Sequence, residues 1–317
     1  MVEPPFVPPD APPPAERPLR GYAMVLAAAT LWAVNGTVSK VILTSADVSS
    51  ARLAEVRSTG AFVGLALVLV ALRPTSLRLG WRELPRLVVF GVLGLALVQA
   101  LYFVAIARLD IGIALLLQYL APVLVALWAR FVMHEQIGRR LWVALMLAFG
   151  GLALIVDVWR GLSLDGLGVV AALAAAVTFA LYILLAEREV GRRDPASLVC
   201  YGSLFAALFW AVTQPWWTFP ADIVDERVSL LGNLAGTQSP VWLLMAFMVV
   251  GGTIVPFGLL VGALRHLSAT RAGIAAMWEP VAATAVAWAW LGESLDPLQM
   301  VGGVVVLAGI AVAQTVR

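Results

Sequence analysis

Apolar stretches of about 20 residues, separated by short polar breaks, follow one another along the chain from residue 22 onward. A helix of that length crosses a hydrocarbon core of about 30 Å, so each stretch predicts a transmembrane helix. The pattern predicts ten, at residues 22–43, 53–72, 84–107, 111–133, 140–157, 166–186, 196–215, 240–264, 270–291 and 297–315. Residues 1–20 hold eight prolines and almost nothing apolar, which predicts a disordered, proline-rich cytoplasmic tail.

The fourth and fifth stretches are repeated in the ninth and tenth. A proline, a glutamate and a glycine recur with the same spacing, as Pro122, Glu135 and Gly151 and then, at a constant offset of 158 residues, as Pro280, Glu293 and Gly309. We therefore predict a first repeat at residues 21–160 and a second at 161–317, with five helices each. An odd number of crossings makes the second copy enter the membrane from the opposite side. The predicted fold is all-α integral membrane, with ten transmembrane helices as two inverted five-helix repeats.

Composition supports a membrane protein, because hydrophobic residues make up 62% and charged residues 13% of the chain, against about 45–50% and 25% in soluble domains. If the N-terminus is cytoplasmic, fourteen arginines fall in inner segments and four in outer ones. This bias predicts a multi-pass protein of the inner cell membrane with both termini in the cytoplasm. The net charge of +2 gives no reason to expect a nucleic-acid partner.

Several chemistries are not expected. Two histidines and one cysteine on different segments make no metal cluster. Lys40 is the only lysine and does not belong to a phosphate-binding loop, so we expect neither ATP nor another cofactor. Paired aspartates of the kind that membrane prenyltransferases carry are missing from the loops, and an enzyme is not predicted.

Glu279 lies near the middle of the ninth predicted helix, where an ionisable group costs about 2.5–3.5 kcal/mol to insert. Its neighbours one turn away are alanines, so this helix face lies against another helix or lines a cavity. The functional interpretation is a substrate contact or a carboxyl that loads and releases a proton. The alternative is a protonated glutamate that is hydrogen-bonded between helices.

Pro122 and Pro280 occupy equivalent sites inside the fourth and ninth helices. Proline has no backbone N–H, so the carbonyl groups of Gln118 and Ala276 lose their helical donors and need other partners. A pair of symmetry-related kinks beside a site is the functional interpretation, and a packing kink is the alternative.

Amides, phenols and indoles within the spans complete the candidate site. Each alone could be an interhelical contact, but together they favour a cavity that selects by shape and hydrogen bonds. The predicted substrate-binding residues are Trp32, Asn35, Gln99, Tyr102, Gln118, Tyr119, Tyr182, Trp278 and Glu279. Lys40, Glu55 and Arg57 are expected at the outer ends of the first two helices, where they reach the membrane surface or pair with one another, with an outer gate as the alternative.

Three segments resemble the EamA family of the drug/metabolite transporter superfamily over residues 22–315. They are Leu117-Gln118-Tyr119-Leu120-Ala121-Pro122 followed by Glu135, Trp278-Glu279-Pro280 followed by Leu291-Gly292-Glu293, and Trp32 with Asn35-Gly36. The first repeat departs from the family pattern at Met133-His134. The resemblance implies ten helices with both termini inside, a central cavity, and movement of small organic metabolites without ATP.

The sequence thus predicts a secondary transporter, exporter or importer, of a small organic metabolite such as an amino acid or related compound, by alternating access. Proton coupling through Glu279 is a hypothesis. The expected partners are the solute, membrane lipids and protons, while direction and oligomeric state stay open. The alternative is a lipid flippase or a membrane-embedded lipid enzyme, and a channel fits less well because no ring of repeated charges marks a pore.

Overall fold

A computed structural model describes residues 18–106, 108–109, 111–156, 165–292 and 296–315. Ten of its helices are long and apolar enough to cross a membrane. They are α1 (Pro18–Ser45), α2 (Ser50–Leu72), α3 (Leu84–Ala105), α4 (Ala114–Phe131), α5 (Arg139–Val156), α6 (Gly166–Val190), α7 (Pro195–Thr213), α8 (Val241–Ala263), α9 (Ala269–Leu291) and α10 (Pro297–Gln314).

The predicted all-α fold with ten helices is confirmed, and the helix ends lie within a few residues of the predicted ones. The largest shifts are at the start of α1 and at the end of α6: α1 begins at Pro18, inside the stretch predicted to be a tail, and α6 continues to Val190. Residues 1–17, which make up most of that tail, lie outside the described residues, as does Glu293.

Polar residues at the helix starts explain why the helices begin where they do. The side chains of Ser49, Asp165 and Asp194 each accept a hydrogen bond from a backbone N–H in the first turn of α2, α6 and α7. Asp296 and Gln299 form a reciprocal capping box at the start of α10, where Pro297 is the first helical residue. Such caps satisfy N–H groups that have no partner inside the helix.

The first helix of each repeat packs against helices of the other repeat. α1 packs against α8 and α9 of the second repeat, and α6 packs against α3 and α4 of the first. α2 lies along α7, and α5 along α10. Equivalent helices therefore make equivalent contacts, as expected for two inverted repeats that close around each other.

The pairing of α5 with α10 depends on glycine. A Cβ atom on Gly151 would lie 2.6 Å from the carbonyl oxygen of Gly302, and a Cβ on Gly302 would lie 2.6 Å from that of Gly151. Each helix backbone thus fills the space that a side chain of the other would need. Glycine permits this close approach within a membrane, where the lipid tails compete for the same apolar contacts.

The α2 and α7 pair is fixed at both ends by hydrogen bonds to loop carbonyl groups. At one end, Arg52 forms an ion pair of 2.6 Å with the fully buried Glu55 and donates to the carbonyl oxygens of Gln214 and Pro215. That loop, between α7 and α8, also contains an antiparallel hairpin of β1 (Arg227–Ser229) and β2 (Gln238–Pro240).

The opposite end is fixed in the same manner with the repeats exchanged. Ser197 and Tyr201, in the first turns of α7, donate at 2.6 Å to the carbonyl oxygens of Ser76 and Leu77 in the loop after α2. The start of each second helix is therefore anchored to the loop that follows the second helix of the other repeat.

Candidate functional site

The helices that carry the two repeated prolines are both interrupted, at equivalent positions. α4 breaks at Tyr119 and resumes as Ala121–Phe131, with Pro122 in its first turn. α9 breaks at Met277 and resumes as Trp278–Val286, with Pro280 in its first turn. The offset between Tyr119 and Met277 is again 158 residues. Both prolines are buried, and the breaks leave backbone carbonyl groups available in the middle of the bundle.

α3 and α8 also deviate from α-helical geometry at related positions. Each contains a wider, π-helical segment, at Phe90–Ala96 in α3 and Val250–Ile254 in α8. Shifting the first segment by 158 residues places it over the second. Such segments occur frequently at functional sites, because they turn backbone and side-chain groups away from the regular helical pattern.

Glu279 is held at the break in α9 by a tyrosine from the other repeat. The hydroxyl of Tyr119 donates to Oε2 of Glu279 at 2.6 Å and lies 3.4 Å from the carbonyl oxygen of Ala276. Ala276 is the residue whose carbonyl loses its helical donor because of Pro280. One phenol therefore contacts both the midspan carboxyl and the open backbone carbonyl beside it.

Arg57 supplies a positive charge to the same region, and our expectation for it was wrong. It lies two turns inside α2, about 10 Å along the helix from Ser50 at 1.5 Å per residue, and its guanidinium binds α8 instead of Glu55. Nε donates to the hydroxyl of Thr253 and Nη2 to the carbonyl oxygen of Gly252, both at 3.3 Å. Glu55, expected near it, pairs with Arg52 instead. The charges of Arg57 and Glu279 interact electrostatically.

The π-helical segment of α8 orients the groups that hold Arg57. The Thr253 hydroxyl donates its hydrogen to the carbonyl oxygen of Met248, five residues earlier, at 3.0 Å. Its oxygen is then available to accept from Arg57. Asn35 of α1 lies directly against Gly252, in the space where a Cβ atom of another residue would be. Groups from α1, α2 and α8 are thereby packed together.

Aromatic rings join this polar region to the rest of the bundle centre. Trp32 meets Phe257 edge to face at 5.1 Å between ring centroids, and Phe257 meets Tyr182 at 5.7 Å. Tyr182 stacks with Phe179 at 6.2 Å, and Phe179 meets Tyr119 at 6.4 Å. The five rings form a continuous aromatic wall from α1 through α8 and α6 to α4.

Most of the predicted site residues lie in or beside the polar region or the aromatic wall. Tyr119, Glu279 and Tyr102 form one group, since Tyr102 lies within electrostatic reach of the Glu279 carboxyl. Trp278 is adjacent and donates through Nε1 to the hydroxyl of Thr30 at 2.9 Å. Trp32 and Tyr182 belong to the aromatic wall.

The remaining candidates are the amides. Asn35 is buried against Gly252, and Gln99 and Gln118 are half-buried, Gln99 one turn before Tyr102 and Gln118 next to the break in α4. Within the described part of the chain, the side-chain oxygens of Asn35 and Gln99 and the hydroxyl of Tyr182 are buried without a hydrogen-bond partner. Buried polar atoms of this kind need an additional partner, such as water or a ligand.

Two inverted five-helix repeats, with broken helices and opposite charges where they meet, define a membrane protein of the transporter class. The profile of the EamA-like transporter family matches residues 19–157 and 166–315. The chain therefore belongs to this family, as the resemblance in its motifs implied.

Curated relatives extend over most of the chain. The threonine/homoserine exporter RhtA of Escherichia coli (strain K12) is 28% identical over 261 residues, which cover 80% of each chain. The pseudopaline exporter CntI of Pseudomonas aeruginosa (strain UCBPP-PA14) is 27% identical over 296 residues, 92% of this chain and 94% of its own. A crystal structure with 18% sequence identity has the same fold, with a TM-score of 0.76 over 92% of this chain and 96% of that one.

Proposed function

We propose that the protein is a secondary transporter that exports a small organic metabolite, such as an amino acid or related compound, across the inner cell membrane by alternating access. The observation that carries this proposal is the contact of Tyr119 with Glu279, which joins the broken helices of the two repeats at the centre of the bundle. The exported solutes of RhtA and CntI support the substrate class and the direction. These two relatives also favour solute transport over a lipid flippase, a lipid enzyme or a channel.

The broken helices supply the bends that alternating access needs. Rocking of one repeat against the other would change the angle between the two halves of α4 and of α9 near Pro122 and Pro280, while the anchored α2 and α7 pair keeps its contacts. Because the repeats are inverted, the same movement that closes one side opens the other. Fourteen arginines lie in the segments on the same side of the membrane as the termini, and four lie on the opposite side. We therefore propose that both termini are in the cytoplasm.

Proton coupling through Glu279 follows from the two acceptors around Tyr119. A hydroxyl carries one hydrogen and donates it to one main acceptor at a time. When Glu279 is ionised, its carboxylate accepts this hydrogen across the 2.6 Å contact. When Glu279 is protonated, it donates its own hydrogen to the phenol oxygen, and Tyr119 can donate to the Ala276 carbonyl, now 3.4 Å away. Protonation would then change the hydrogen bonding at the break in α9.

Transport by the purified protein in proteoliposomes tests both parts of the proposal. We expect the wild-type protein to move radiolabelled threonine or homoserine, or another solute from a metabolite panel, faster than protein-free vesicles, with a rate that depends on a pH gradient. Glu279→Gln keeps the shape of the side chain but cannot load and release a proton. We expect this variant to lose the response to the pH gradient.

Glu135→Gln is the matched control, because it makes the same change at an exposed carboxyl outside the site. It should behave like the wild-type protein. If Glu279→Gln retained an unchanged response to the gradient, proton coupling at this position would be excluded. If the wild-type protein moved no solute of the panel, transport of small metabolites would be excluded.

A further inference from the structure

We propose that Arg57 and Glu279 form a two-charge binding site for a zwitterionic solute, in which Arg57 binds the carboxylate of the solute and Glu279 binds its ammonium group. This inference rests on the proposed transport function and specifies the chemistry of the solute. Among the residues that the structure describes, neither charge has an oppositely charged partner in direct contact, and each has an unused polar atom.

Arg57 is held in a fixed orientation with part of its guanidinium unused. Nε and Nη2 are bound to Thr253 and Gly252. Among the described residues, Nη1 donates to no protein group, and the side chain is only half-buried. A guanidinium whose plane is fixed by two hydrogen bonds is a well-oriented donor for a carboxylate.

Glu279 is arranged in the complementary way. Its Oε2 accepts from Tyr119, and within the described residues Oε1 accepts from no protein donor. The side chain is half-buried, so a ligand can approach it. A carboxylate with one oxygen fixed and one oxygen unused is a suitable acceptor for an ammonium group.

α1 packs against both segments of the site, Trp278–Val286 of α9, which contains Glu279, and Val250–Ile254 of α8, which binds Arg57. Residues of each segment contact α1, since Trp278 bonds to Thr30 and Gly252 lies against Asn35. Arg57 and Glu279 interact electrostatically, but no ion pair within 4.0 Å joins these two described residues.

A solute with both charges satisfies both groups, whereas a solute with one charge leaves the other group unpaired in a medium of low dielectric constant. An unpaired buried charge is costly, and a site built around two charges therefore rejects solutes that lack one. Trp32 of the aromatic wall lies one turn before Asn35 on α1, and Asn35 packs against Gly252, so both could contact the side chain of the solute.

The test compares solutes that differ in one charge. Binding to the purified full chain is measured by thermal stabilisation, and transport in proteoliposomes, with threonine, threonine amide and N-acetyl-threonine. The same three forms of phenylalanine test an aromatic side chain. The amide lacks the carboxylate, and the acetylated form lacks the ammonium group. We expect the zwitterion to bind about 10- to 100-fold more tightly than either blocked form, the usual range for a hydrogen bond between charged groups.

Variants then assign each solute charge to one residue. In Arg57→Gln, the zwitterion should lose its advantage over the amide but keep its advantage over the acetylated form. In Glu279→Gln, the pattern should be reversed. Arg130→Gln removes an exposed arginine of α4 as a matched control and should leave both ratios as in the wild-type protein.

The outcomes separate this inference from the function on which it rests. If the wild-type protein transports solutes but binds blocked and zwitterionic forms equally, or only solutes with one charge or none, the two-charge site is refuted while transport stands. Unchanged ratios in folded Arg57→Gln and Glu279→Gln refute the assignment of charges as well. Since the blocked solutes are also compared on the wild-type protein, the test does not depend on the stability of a variant. If no solute is transported at all, both proposals fail.

Discussion

At the centre of the molecule, single side chains from different repeats complete one another. Glu279 and Tyr119 are 160 residues apart in the chain, and Arg57 and Thr253 are 196 apart. Each residue alone would be a polar group inside an apolar span, which is unfavourable without a partner. Together they form two hydrogen-bonded pairs, one between α4 and α9 and one between α2 and α8. The side chain of Glu279 was recognisable from its depth in the span, and the depth of Arg57 in α2 was the corresponding signal that we misjudged.

Tyr119→Phe tests the role of the phenol at this scale. The change removes one oxygen, keeps the ring in the aromatic wall and leaves Oε2 of Glu279 without its donor. We expect the apparent affinity for the transported solute to change by about tenfold, as for the loss of one hydrogen bond to a charged group. The measurement is the concentration dependence of transport in proteoliposomes.

The matched control is Tyr201→Phe, which removes a hydroxyl bound to the Leu77 carbonyl outside the site. It should reduce thermal stability slightly and leave the apparent affinity unchanged. Equal effects of the two changes on affinity would argue against a role for Tyr119 in the site.

The helices themselves differ in how regular they are. α2, α5, α6, α7 and α10 are continuous, whereas α3 and α8 contain π-helical segments and α4 and α9 are broken. The irregular helices carry Thr253, Tyr119 and Glu279, and Arg57 reaches Thr253 from the continuous α2. The continuous α5 and α10 pair packs backbone to backbone through glycine. Irregular helices thus position most of the site, and regular helices supply the scaffold and Arg57.

Replacing either of two adjacent glycines of α5 with alanine should affect stability in opposite ways. A Cβ on Gly151 would overlap the carbonyl of Gly302 and the backbone nitrogen of Val306, whereas a Cβ on Gly150 would meet nothing within 4 Å. We expect Gly151→Ala to destabilise the protein by about 1–3 kcal/mol, because the helices must move apart. Gly150→Ala should be neutral or stabilise by up to about 1 kcal/mol, since alanine favours the helix.

Thermal unfolding of the two variants in the same detergent measures this difference. Equal melting temperatures would show that α5 and α10 do not approach each other as closely as the structure indicates.

For the molecule as a whole, the inverted arrangement puts equivalent loops on opposite sides of the membrane. Arg52 anchors the loop between α7 and α8 at one end, and Ser197 and Tyr201 anchor the loop between α2 and α3 at the other. An ion pair between Arg193 and Glu83, at 3.3 Å, adds to the second anchor. The Arg193 side chain is nearly buried and that of Glu83 is partly exposed.

Cysteine labelling tests the orientation that we propose from the arginine bias. Cys200 is buried, and replacing it with serine gives a background without an accessible thiol. On this background, Thr237→Cys in the loop before α8 should react with a membrane-impermeant maleimide added to intact spheroplasts. Gly191→Cys is at the exposed end of α6, where an added Cβ atom would meet no neighbouring group within 4 Å, and it should react only after the membrane is opened. The reverse pattern would place both termini outside.

The sequence by itself determined the number of helices, their approximate ends, the duplication and the inverted arrangement. These features depend on the length of apolar runs and on the parity of crossings, which are local or additive properties of the chain. It also indicated the breaks near Pro122 and Pro280, because a missing backbone N–H acts within one helical turn. Only the tertiary structure decided that Tyr119 contacts Glu279, that Arg57 reaches Thr253 and that Gly151 meets Gly302. Such contacts join residues more than 140 positions apart, and they depend on how the helices rotate and approach each other, which the periodicity of each helix does not specify.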